Sequence, residues 1–261
     1  MDGIDLESLK TLAPDVYAAL TRENEYQLDE YVIGDGKKHP FALICPGGGY
    51  EMVADFVEGK PFAEELNKRG YSAFVVYYRV KDKARYPAPQ EDVARALRDI
   101  LSRAEELNLD TECWSLWGSS AGGHLAASFS TQNMGYPKYD LPRPGTLVLI
   151  YPVVTMGPDT HEGSRVNLLG ADATEEQIEF ASVEKQVTAE YPPTFVWCGD
   201  ADDTVPMSNS EMLAEALEKC GVPHLLKVYP GIGHGVGLGT GTVCEDWLDE
   251  AVAFWEKQRV K

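Results

Sequence analysis

The sequence predicts an α/β fold in which helices cover both faces of a mainly parallel β-sheet. Short apolar runs alternate with longer segments of helical periodicity along the 261 residues, and this alternation is typical of βαβ units. Most of the apolar runs are continuous rather than alternating, as in strands that are buried on both faces. No break in composition divides the chain, so we expect residues 1–261 to form a single domain.

Seven apolar runs are the candidate strands, and five stretches of helical periodicity lie among them. The first two runs are expected to form an early strand pair, and Gly221 with Pro223 ends the fourth helix. The candidate strands are YVI at 31–33, FALIC at 41–45, YSAFVVYY at 71–78, CWSLWG at 113–118, TLVLIYPVV at 146–154, TFVWCG at 194–199 and HLLKVYP at 224–230. The candidate helices cover about 60–69, 89–107, 121–131, 207–220 and 243–257.

Residues 155–190 interrupt this alternation of strands and helices. They carry no strand pattern although they lie between two predicted strands, which indicates an insertion over one end of the sheet. Ligands of open α/β sheets bind at the carboxyl ends of the strands, so the insertion is a candidate cap or lid over a binding crevice. A surface excursion that only packs on the sheet is the alternative.

Composition and charge exclude several classes of partner. The chain has 23 Lys and Arg against 42 Asp and Glu, which gives a formal net charge of -19. Such a chain repels phosphodiester backbones and anionic membranes, so we expect neither nucleic acid nor a membrane as a partner. The N-terminal stretch MDGIDLESLK carries neither a basic start nor an apolar segment, and no window approaches the roughly 18 apolar residues of a membrane span. A cytoplasmic location is therefore expected.

The cysteines indicate neither a disulfide framework nor a metal site. They are odd in number, widely scattered, and form no CxxC pair. We therefore expect buried free thiols and no bound metal. The cysteines are Cys45, Cys113, Cys198, Cys220 and Cys244.

The stretch LWGSSAGGH at 116–124 joins a predicted strand to a predicted helix. Within it, GSSAG at 118–122 matches G-x-S-x-G, the pattern of a nucleophile elbow in which flanking glycines permit a strained turn. The spacing selects Ser120, whereas Ser119 lacks the symmetric glycines and is expected to pack beside the turn. A helix that begins just after Ser120 points its free N–H groups at a developing oxyanion, which makes the N–H of Ala121 a candidate donor.

A serine hydroxyl needs a base to become nucleophilic, and an imidazole is the usual one near neutral pH. His234 lies in YPGIGHGVGLG, a glycine-rich loop after the last predicted strand, where its ring can approach an elbow on a neighbouring strand. His124 lies one turn beyond Ser120 on the predicted helix and is expected to pack against the sheet. We therefore assign His234 as the base. The remaining histidines are expected to be structural or solvated: His39, His161 and His224.

The imidazolium formed during reaction needs a carboxylate that orients and stabilises it. The stretch WCGDADDTVP ends the penultimate predicted strand and offers Asp200, Asp202 and Asp203, ahead of His234 in the order Ser, Asp, His. Chemistry alone does not decide which of these three acids orients the imidazole. A solvated turn or a helix cap accounts for at least one of them.

Three consecutive glycines, Gly47 to Gly49, follow the predicted strand FALIC. Because they lack side chains, their backbone N–H groups can come close to a substrate oxygen. We favour the N–H groups of Gly48 and Gly49, together with that of Ala121, as the donors of an oxyanion hole. Tyr50 follows directly and is a candidate for lining the acyl or alcohol pocket, with packing as an equally supported alternative.

From about residue 40 to its end the sequence resembles the esterase branch of the α/β-hydrolase superfamily. It is similar to the acetyl xylan esterase-like and the hormone-sensitive-lipase-like carboxylesterases. The resemblance implies the three-layer α/β-hydrolase fold. The stretches that carry it, in the family's order, are CPGGGY, YRV, YPAPQEDVARAL, GSSAGGH, NLLG, YPPTFVWCGDADDTVP and GIGHG.

The resemblance also implies which of the three acids belongs to the triad and which class of ester is the substrate. In this family the acid occurs as G-x-x-D-x-x-V, which here aligns Gly199, Asp202 and Val205. The resemblance therefore implies Asp202 as the triad acid, with Asp203 as its rival. Pro46 stands where the lipase-like branch has a histidine, and this departure points to carbohydrate esters or other small esters.

The function that the resemblance implies is that of a serine carboxylesterase. It would act on small, chiefly acetyl, esters such as those of xylo-oligosaccharides, through an acyl-enzyme at Ser120 and without a metal or an organic cofactor. A peptidase or a thioester hydrolase would use the same residues, and a non-catalytic binding protein of the same fold is a third alternative. The sequence sets neither the natural substrate nor the oligomeric state.

Overall fold

A β-sheet of seven strands lies at the centre of the structure, a computed structural model that describes residues 6–260. The strands are β1 (Gln27–Tyr31), β2 (His39–Cys45), β3 (Ser72–Tyr77), β4 (Leu109–Ser119), β5 (Thr146–Ile150), β6 (Thr194–Gly199) and β7 (His224–Tyr229). Their order across the sheet is β1-β3-β2-β4-β5-β6-β7. β1 runs antiparallel to β3, and all other neighbours are parallel. The carboxyl ends of six strands therefore meet at one edge of the sheet.

Helices fill the connections between the strands and lie at both ends of the described range. None of the helices within residues 6–260 has the length and apolar character that crossing a membrane requires. The α-helices are α1 (Leu6–Leu12), α2 (Pro14–Thr21), α3 (Asp55–Glu58), α4 (Lys60–Lys68), α5 (Ala88–Ser102), α6 (Ser120–Phe129), α7 (Glu162–Leu169), α8 (Glu175–Ala181), α9 (Ser208–Lys219) and α10 (Trp247–Arg259).

The helices form two layers, one on each face of the sheet. Neighbouring side chains of a strand point to opposite faces, and in β4 this separates Trp117 from Gly118. Trp117 packs on Trp247 of α10 with ring centroids 6.0 Å apart, whereas a Cβ atom on Gly118 would lie 2.8 Å from Ala126 of α6. Phe62 of α4 also contacts Trp247. The predicted α/β architecture, with a mainly parallel sheet between two helical layers, is confirmed.

The sheet and the helix that follows β4 form the core. β3, β5 and β6 are buried along their whole length, which explains why the sequence shows continuous apolar runs there. Every residue of α6 is buried as well. The five cysteines are free, and three of them are buried while Cys113 and Cys220 are half-buried. Ser120, the first residue of α6, is therefore supported by a fully buried helix and by the buried strands of the sheet.

Several element boundaries differ from the predicted ones. The first strand lies at 27–31 rather than 31–33 and pairs with β3, because β2 already bonds to β3 and β4 on its two edges. The second predicted helix ends at Ser102, and the last one begins at Trp247. The helices α1, α2, α3, α7 and α8 were missed. α2 has no buried residue, so it lacks the apolar stripe by which a sequence pattern reveals a helix.

Residues 155–190 contain no strand, as predicted. They fold into α7, α8 and a short 3-10 helix at Val183–Lys185. α8 begins with a capping box, in which the Thr174 hydroxyl accepts from the N–H of Gln177 and the Gln177 side chain accepts from the N–H of Thr174. This polar insertion therefore has its own local structure beside the carboxyl edge of the sheet.

Candidate active site

Ser120 lies where β4 ends and α6 begins, at the carboxyl edge of the sheet. Its φ is +52°, a left-handed conformation that costs an L-residue about 1–2 kcal/mol. The two flanking glycines permit this turn by close backbone contact. A Cβ atom on Gly122 would lie 2.1 Å from the carbonyl oxygen of Cys45, and one on Gly118 would lie 2.3 Å from the carbonyl oxygen of Gly122. The G-x-S-x-G pattern thus has the local geometry of a strained elbow.

Ser120, His234 and Asp202 lie in one chain of hydrogen bonds. The Ser120 hydroxyl lies 2.8 Å from Nε2 of His234, and Nδ1 of the same ring lies 2.6 Å from Oδ2 of Asp202. Because the carboxylate can only accept, Nδ1 carries the proton and Nε2 is free to accept from the serine. The other carboxylate oxygen, Oδ1, accepts from the backbone N–H groups of Thr204 and Val205, each at 2.9 Å. The three residues predicted from the sequence are therefore brought together.

Asp202 is held in its ionised form. Burial of its fully enclosed side chain acts to raise its pKa, but the bonds from His234 and from the two backbone N–H groups outweigh burial, and the pKa of Asp202 is lowered. Its neighbours are placed differently. Asp203 is exposed and accepts from the Thr204 hydroxyl at 3.5 Å, while Asp200 accepts from the N–H of Gly231 at 2.6 Å. Of the three candidate acids, only Asp202 contacts the imidazole.

His124 and Tyr50 form a buried pair behind the elbow. The His124 ring is fully buried, its Nδ1 lies 2.9 Å from the Tyr50 hydroxyl, and its Nε2 lies 2.8 Å from the carbonyl oxygen of Ala181. The packing role expected for His124 agrees with this geometry. The proposal that Tyr50 lines the substrate pocket is contradicted, because its side chain is fully buried and absent from the cavity wall. Its φ of +58° turns the ring inward from the glycine loop.

The loop of Gly47 to Gly49 lies across the cavity from His234. Gly48 and Gly49 have φ values of +118° and +67°, and a Cβ atom on Gly48 would lie 2.3 Å from the carbonyl oxygen of Met52. Within residues 6–260, the N–H groups of Gly48 and Gly49 have no hydrogen-bond partner, whereas that of Gly47 donates to Glu58 at 2.7 Å. Ala121 lies in the first turn of α6, where N–H groups have no intrahelical acceptor. These three N–H groups are free to bind a substrate oxygen.

A cavity of about 570 Å³ opens above Ser120 and His234. The apolar side chains of its wall come from the segment after the glycine loop and from α7. The polar ones come from that same segment, from the insertion and from the loops that carry the triad residues. The insertion predicted as a cap therefore contributes one wall of the cavity. The apolar lining residues are Met52, Ala54, Val57 and Val166, and the polar ones, besides the residues described above, are Glu51, His161, Asn167 and Thr204.

His161 supplies a hydrogen-bond donor to this cavity. Its Nδ1 accepts from the N–H of Ser164 at 3.2 Å, and a backbone N–H can only donate, so the ring proton of the neutral form lies on Nε2. Burial, assisted by the charge of His234, lowers the pKa of His161 and favours this neutral form. The ring lies beside the glycine loop, since a Cβ atom on Gly49 would come within 3.4 Å of its Cε1. The ring thus caps the N-terminus of α7, a structural role of the kind expected from the sequence, and it also lines the cavity, which the sequence did not predict.

Two further residues of the cavity wall were missed from the sequence. Asn167 donates from Nδ2 to the carbonyl oxygen of Gly49 at 2.9 Å, so it ties α7 to the glycine loop. Glu58 is buried and accepts from Gly47 and from the Tyr151 hydroxyl, each at 2.7 Å. Asn167 begins the NLLG stretch that supports the family resemblance, which is a signal that could have found it. The signal for Glu58 is an acid beside apolar residues in DFVEGKP.

Metal-binding side chains are not gathered at the site. Across residues 6–260, no group of three or more His, Cys, Asp or Glu side chains is arranged to hold a metal ion. The reactive groups that line the cavity are instead those of Ser120 and His234, with Asp202 behind the imidazole. Their chemistry is that of a hydroxyl nucleophile with a positioned base.

The sequence matches a family model described as the alpha/beta hydrolase fold over residues 45–238. It is 33% identical over 280 residues to the endo-1,4-beta-xylanase B of Butyrivibrio fibrisolvens, a match that covers 100% of this chain and 43% of that protein. It is 32% identical over 217 residues to the acetylxylan esterase of Xylanibacter ruminicola, covering 81% of this chain and 44% of that protein. The chain thus spans less than half the length of these two relatives.

Solved structures share the fold along most of the chain. The acetyl ester-xyloside bifunctional hydrolase from Caldicellulosiruptor lactoaceticus matches with a TM-score of 0.80 and 34% identity, covering 89% of this chain and 88% of that chain. The range matched by the family model includes the glycine loop, the elbow and the loop of His234. The resemblance inferred from the sequence motifs is confirmed. The chain therefore belongs to the α/β-hydrolase family.

Proposed function

We propose that this chain is a serine carboxylesterase that hydrolyses small esters, chiefly acetyl esters of carbohydrates such as acetylated xylo-oligosaccharides. The observation that carries the proposal is the continuous chain of hydrogen bonds from Ser120 through His234 to Asp202 at the wall of a cavity, with spans of 2.8 and 2.6 Å. A serine, a base and an orienting acid in this geometry are the requirements of acyl transfer.

In the first half of the reaction, His234 acts as a general base. Its Nε2 takes the hydroxyl proton of Ser120 while Oγ attacks the ester carbonyl carbon, and the carbonyl oxygen becomes an oxyanion. The free N–H groups of Gly48, Gly49 and Ala121 bind that oxyanion, and one such donor typically lowers the barrier by about 3 kcal/mol. The imidazolium then protonates the departing alcohol oxygen as the ester C–O bond breaks, which leaves an acyl group on Ser120.

In the second half, water takes the place of the alcohol. Nε2 of His234 removes a proton from the water as its oxygen attacks the acyl carbon, and the same three N–H groups bind the second oxyanion. The imidazolium then returns its proton to Oγ of Ser120 as the acyl–oxygen bond breaks, so that the carboxylic acid leaves and the serine is restored. Asp202 stays ionised throughout, in keeping with its lowered pKa, and stabilises the imidazolium in both halves.

The cavity favours a small acyl group and a polar alcohol. Its apolar side chains are Met52, Ala54, Val57 and Val166, and a long acyl chain would gain about 0.8 kcal/mol for each buried methylene only if a continuous apolar groove extended beyond them. The insertion that would have to form such a groove presents His161 and Asn167 to the cavity beside the apolar side chain of Val166. One relative described above is named an acetylxylan esterase and another a bifunctional acetyl ester-xyloside hydrolase, and both names support an acetyl ester as the substrate.

The test measures kcat/KM for p-nitrophenyl esters of increasing acyl length, together with acetate release from acetylated xylo-oligosaccharides. We expect the highest value at acetyl or propionyl and a decline toward octanoyl. Peptide and thioester substrates in the same panel distinguish a peptidase or a thioester hydrolase, and a barely detectable response to every substrate would favour a non-catalytic binding protein. A maximum at eight carbons or beyond would refute the small-ester proposal.

A matched pair of serine variants tests the mechanism. Ser120→Ala is expected to lower kcat by at least about four orders of magnitude, since it removes the nucleophile and leaves the fold intact. Ser119→Ala is the control, because Ser119 is buried beside the elbow and its hydroxyl makes no hydrogen bond within the described residues. Full activity in Ser120→Ala, or an equal loss in both variants, would refute the assignment of the nucleophile.

A further inference from the structure

A buried carboxyl group lies between three segments of the site and takes no part in the mechanism described so far. Glu58, at the end of α3, is 4% exposed and contributes to the cavity wall. Its Oε2 accepts from the N–H of Gly47 at 2.7 Å, and its Oε1 accepts from the Tyr151 hydroxyl at 2.7 Å. The Tyr151 oxygen in turn accepts from the N–H of Gly237, in the loop that carries His234, at 3.2 Å.

The directions of these bonds suit an ionised carboxylate. The N–H of Gly47 can only donate, and the Tyr151 oxygen accepts a hydrogen bond from the N–H of Gly237 while the Tyr151 hydroxyl donates its proton to Glu58. Among residues 6–260, no Lys or Arg forms an ion pair with Glu58. Burial leaves the pKa of Glu58 raised above its ordinary value, while the bonds from Tyr151 and Gly47 and the charge of His234 limit the rise and favour the ionised form. The cation that compensates this carboxylate during catalysis is therefore the imidazolium of His234.

The position of Tyr151 connects Glu58 to the base. Tyr151 follows β5, is 1% exposed, and has its ring edge-to-face with the His234 ring at a centroid distance of 4.9 Å. The titratable groups that face Glu58 are Tyr151, Tyr78 and His234, and those that face His234 also include Asp202 and His161. Asp202 and Glu58 are thus the two carboxyl groups around one imidazole.

We propose that Glu58 is a positioning residue of the esterase reaction, which fixes the glycine loop through Gly47 and supplies a second negative charge that stabilises the imidazolium of His234. This inference rests on the proposed function, in which His234 becomes an imidazolium whenever Ser120 or water loses its proton. The bond to Gly47 holds the start of the loop whose next two N–H groups bind the oxyanion. The charge acts through the enclosed site, where electrostatic interactions are screened less than in water.

Three variants separate the effect of the charge of Glu58 from the effect of the length of its side chain. Glu58→Gln keeps the size of the side chain and an acceptor for Gly47 but removes the charge. Glu58→Asp keeps the charge, but one methylene less leaves it too short to bond both Gly47 and Tyr151. Glu64→Gln, on the exposed face of α4, is the control for the loss of one carboxylate far from the site.

The readout is the pH profile of kcat and kcat/KM for p-nitrophenyl acetate, with active sites titrated by a fluorophosphonate and folding checked by circular dichroism. In Glu58→Gln we expect the acid limb of kcat/KM to move down by about one pH unit and kcat to fall about tenfold, with little change in KM, because one unit in the imidazolium equilibrium is a factor of ten. Glu58→Asp is expected to keep the acid limb in place and to lower kcat. Glu64→Gln should match the wild type in the position of the acid limb and in kcat.

An acid limb of Glu58→Gln that coincides with the wild type, with kcat within twofold, would overturn this inference. If Glu58→Gln does not fold, Glu58→Asp decides, since full kcat with the shorter side chain would overturn the positioning role. Failure of the proposed function has a different signature, namely a wild type that the fluorophosphonate does not label or a Ser120→Ala variant that remains active. The two failures are therefore distinguishable.

Discussion

Acidification is expected to destabilise this protein through His124. The ring is fully buried and neutral, with Nε2–H donating to the carbonyl oxygen of Ala181 and Nδ1 accepting from the Tyr50 hydroxyl. Burial lowers the pKa of His124 from 6.5 to about 4, although the bond to Ala181 acts in the opposite direction. A proton on Nδ1 would also abolish the bond from Tyr50, the residue that follows the glycine loop.

The sign and the size of the effect follow from the difference in proton binding between the two states. The unfolded chain protonates His124 near pH 6.5, whereas the folded chain does so only near pH 4, so the stabilisation is complete above pH 6.5 and is lost as the pH falls toward 4. A difference of about 2.5 pKa units corresponds to about 3.4 kcal/mol in the free energy of unfolding. About 2 kcal/mol of this is already lost at pH 5.

The assay is urea denaturation of the wild type and of His124→Gln at pH 7.5, 6.5, 5.5 and 5.0. Gln retains a donor and an acceptor but does not titrate, and at pH 7.5 its imperfect fit should cost about 1–3 kcal/mol. We expect the difference in the free energy of unfolding between the two proteins to shrink by about 2 kcal/mol between pH 7.5 and pH 5.0. Both proteins contain the same other titratable groups, so the contributions of those groups cancel in this difference. If the free energies of unfolding of the two proteins change in parallel over this pH range, the reasoning is refuted.

Two other pairs of variants test the site. Asp202→Asn should lower kcat by about four orders of magnitude, because the imidazole loses its orienting charge. Asp203→Asn, at an exposed position, should lower kcat only slightly. Comparable losses of kcat in the two variants would contradict the assignment of the acid. Gly122→Ala should lower the free energy of unfolding by about 1–3 kcal/mol in urea titrations, since its Cβ would lie 2.1 Å from a backbone oxygen of Cys45. Gly34→Ala, where nothing lies within 4 Å, should be nearly neutral, and an equal cost at both glycines would contradict the clash.

The sequence predicts those parts of the site that depend on short spacings along the chain or on a position directly after a strand. Ser120 is identified by glycines two positions away on each side, and this spacing has a direct steric cause at Gly118 and Gly122. His234 and Asp202 each follow a strand, and parallel strands bring their carboxyl ends to one edge. The choice of Asp202 over Asp203 came from the family motif, because neighbouring acids in a turn have the same chemistry until the fold buries one of them.

The parts that the sequence does not predict depend on contacts between distant segments. Tyr50 was a candidate for the pocket because it follows the glycines, but the turn at this position directs its ring to His124, which is 74 residues away. The position of His161 in the cavity wall had no local signal, and the acid beside apolar residues in DFVEGKP indicates burial of Glu58 but not its partners. Glu58 meets Tyr151 across 93 residues, and His161 reaches the glycine loop only because α7 folds back over the sheet edge.

The insertion at 155–190 is better understood as a fixed wall of the cavity than as an independent lid. Asn167 of α7 donates to the carbonyl oxygen of Gly49 at 2.9 Å, and Arg85 donates to the carbonyl oxygen of Asn167 at 2.7 Å. At the other end of the insertion, His124 of the elbow helix donates to the carbonyl oxygen of Ala181 at 2.8 Å. Movement of the whole segment would break these bonds together, at a net cost of about 1 kcal/mol for each. It would also release Gly49, so opening the cavity in this way would disturb the oxyanion donors that the reaction needs.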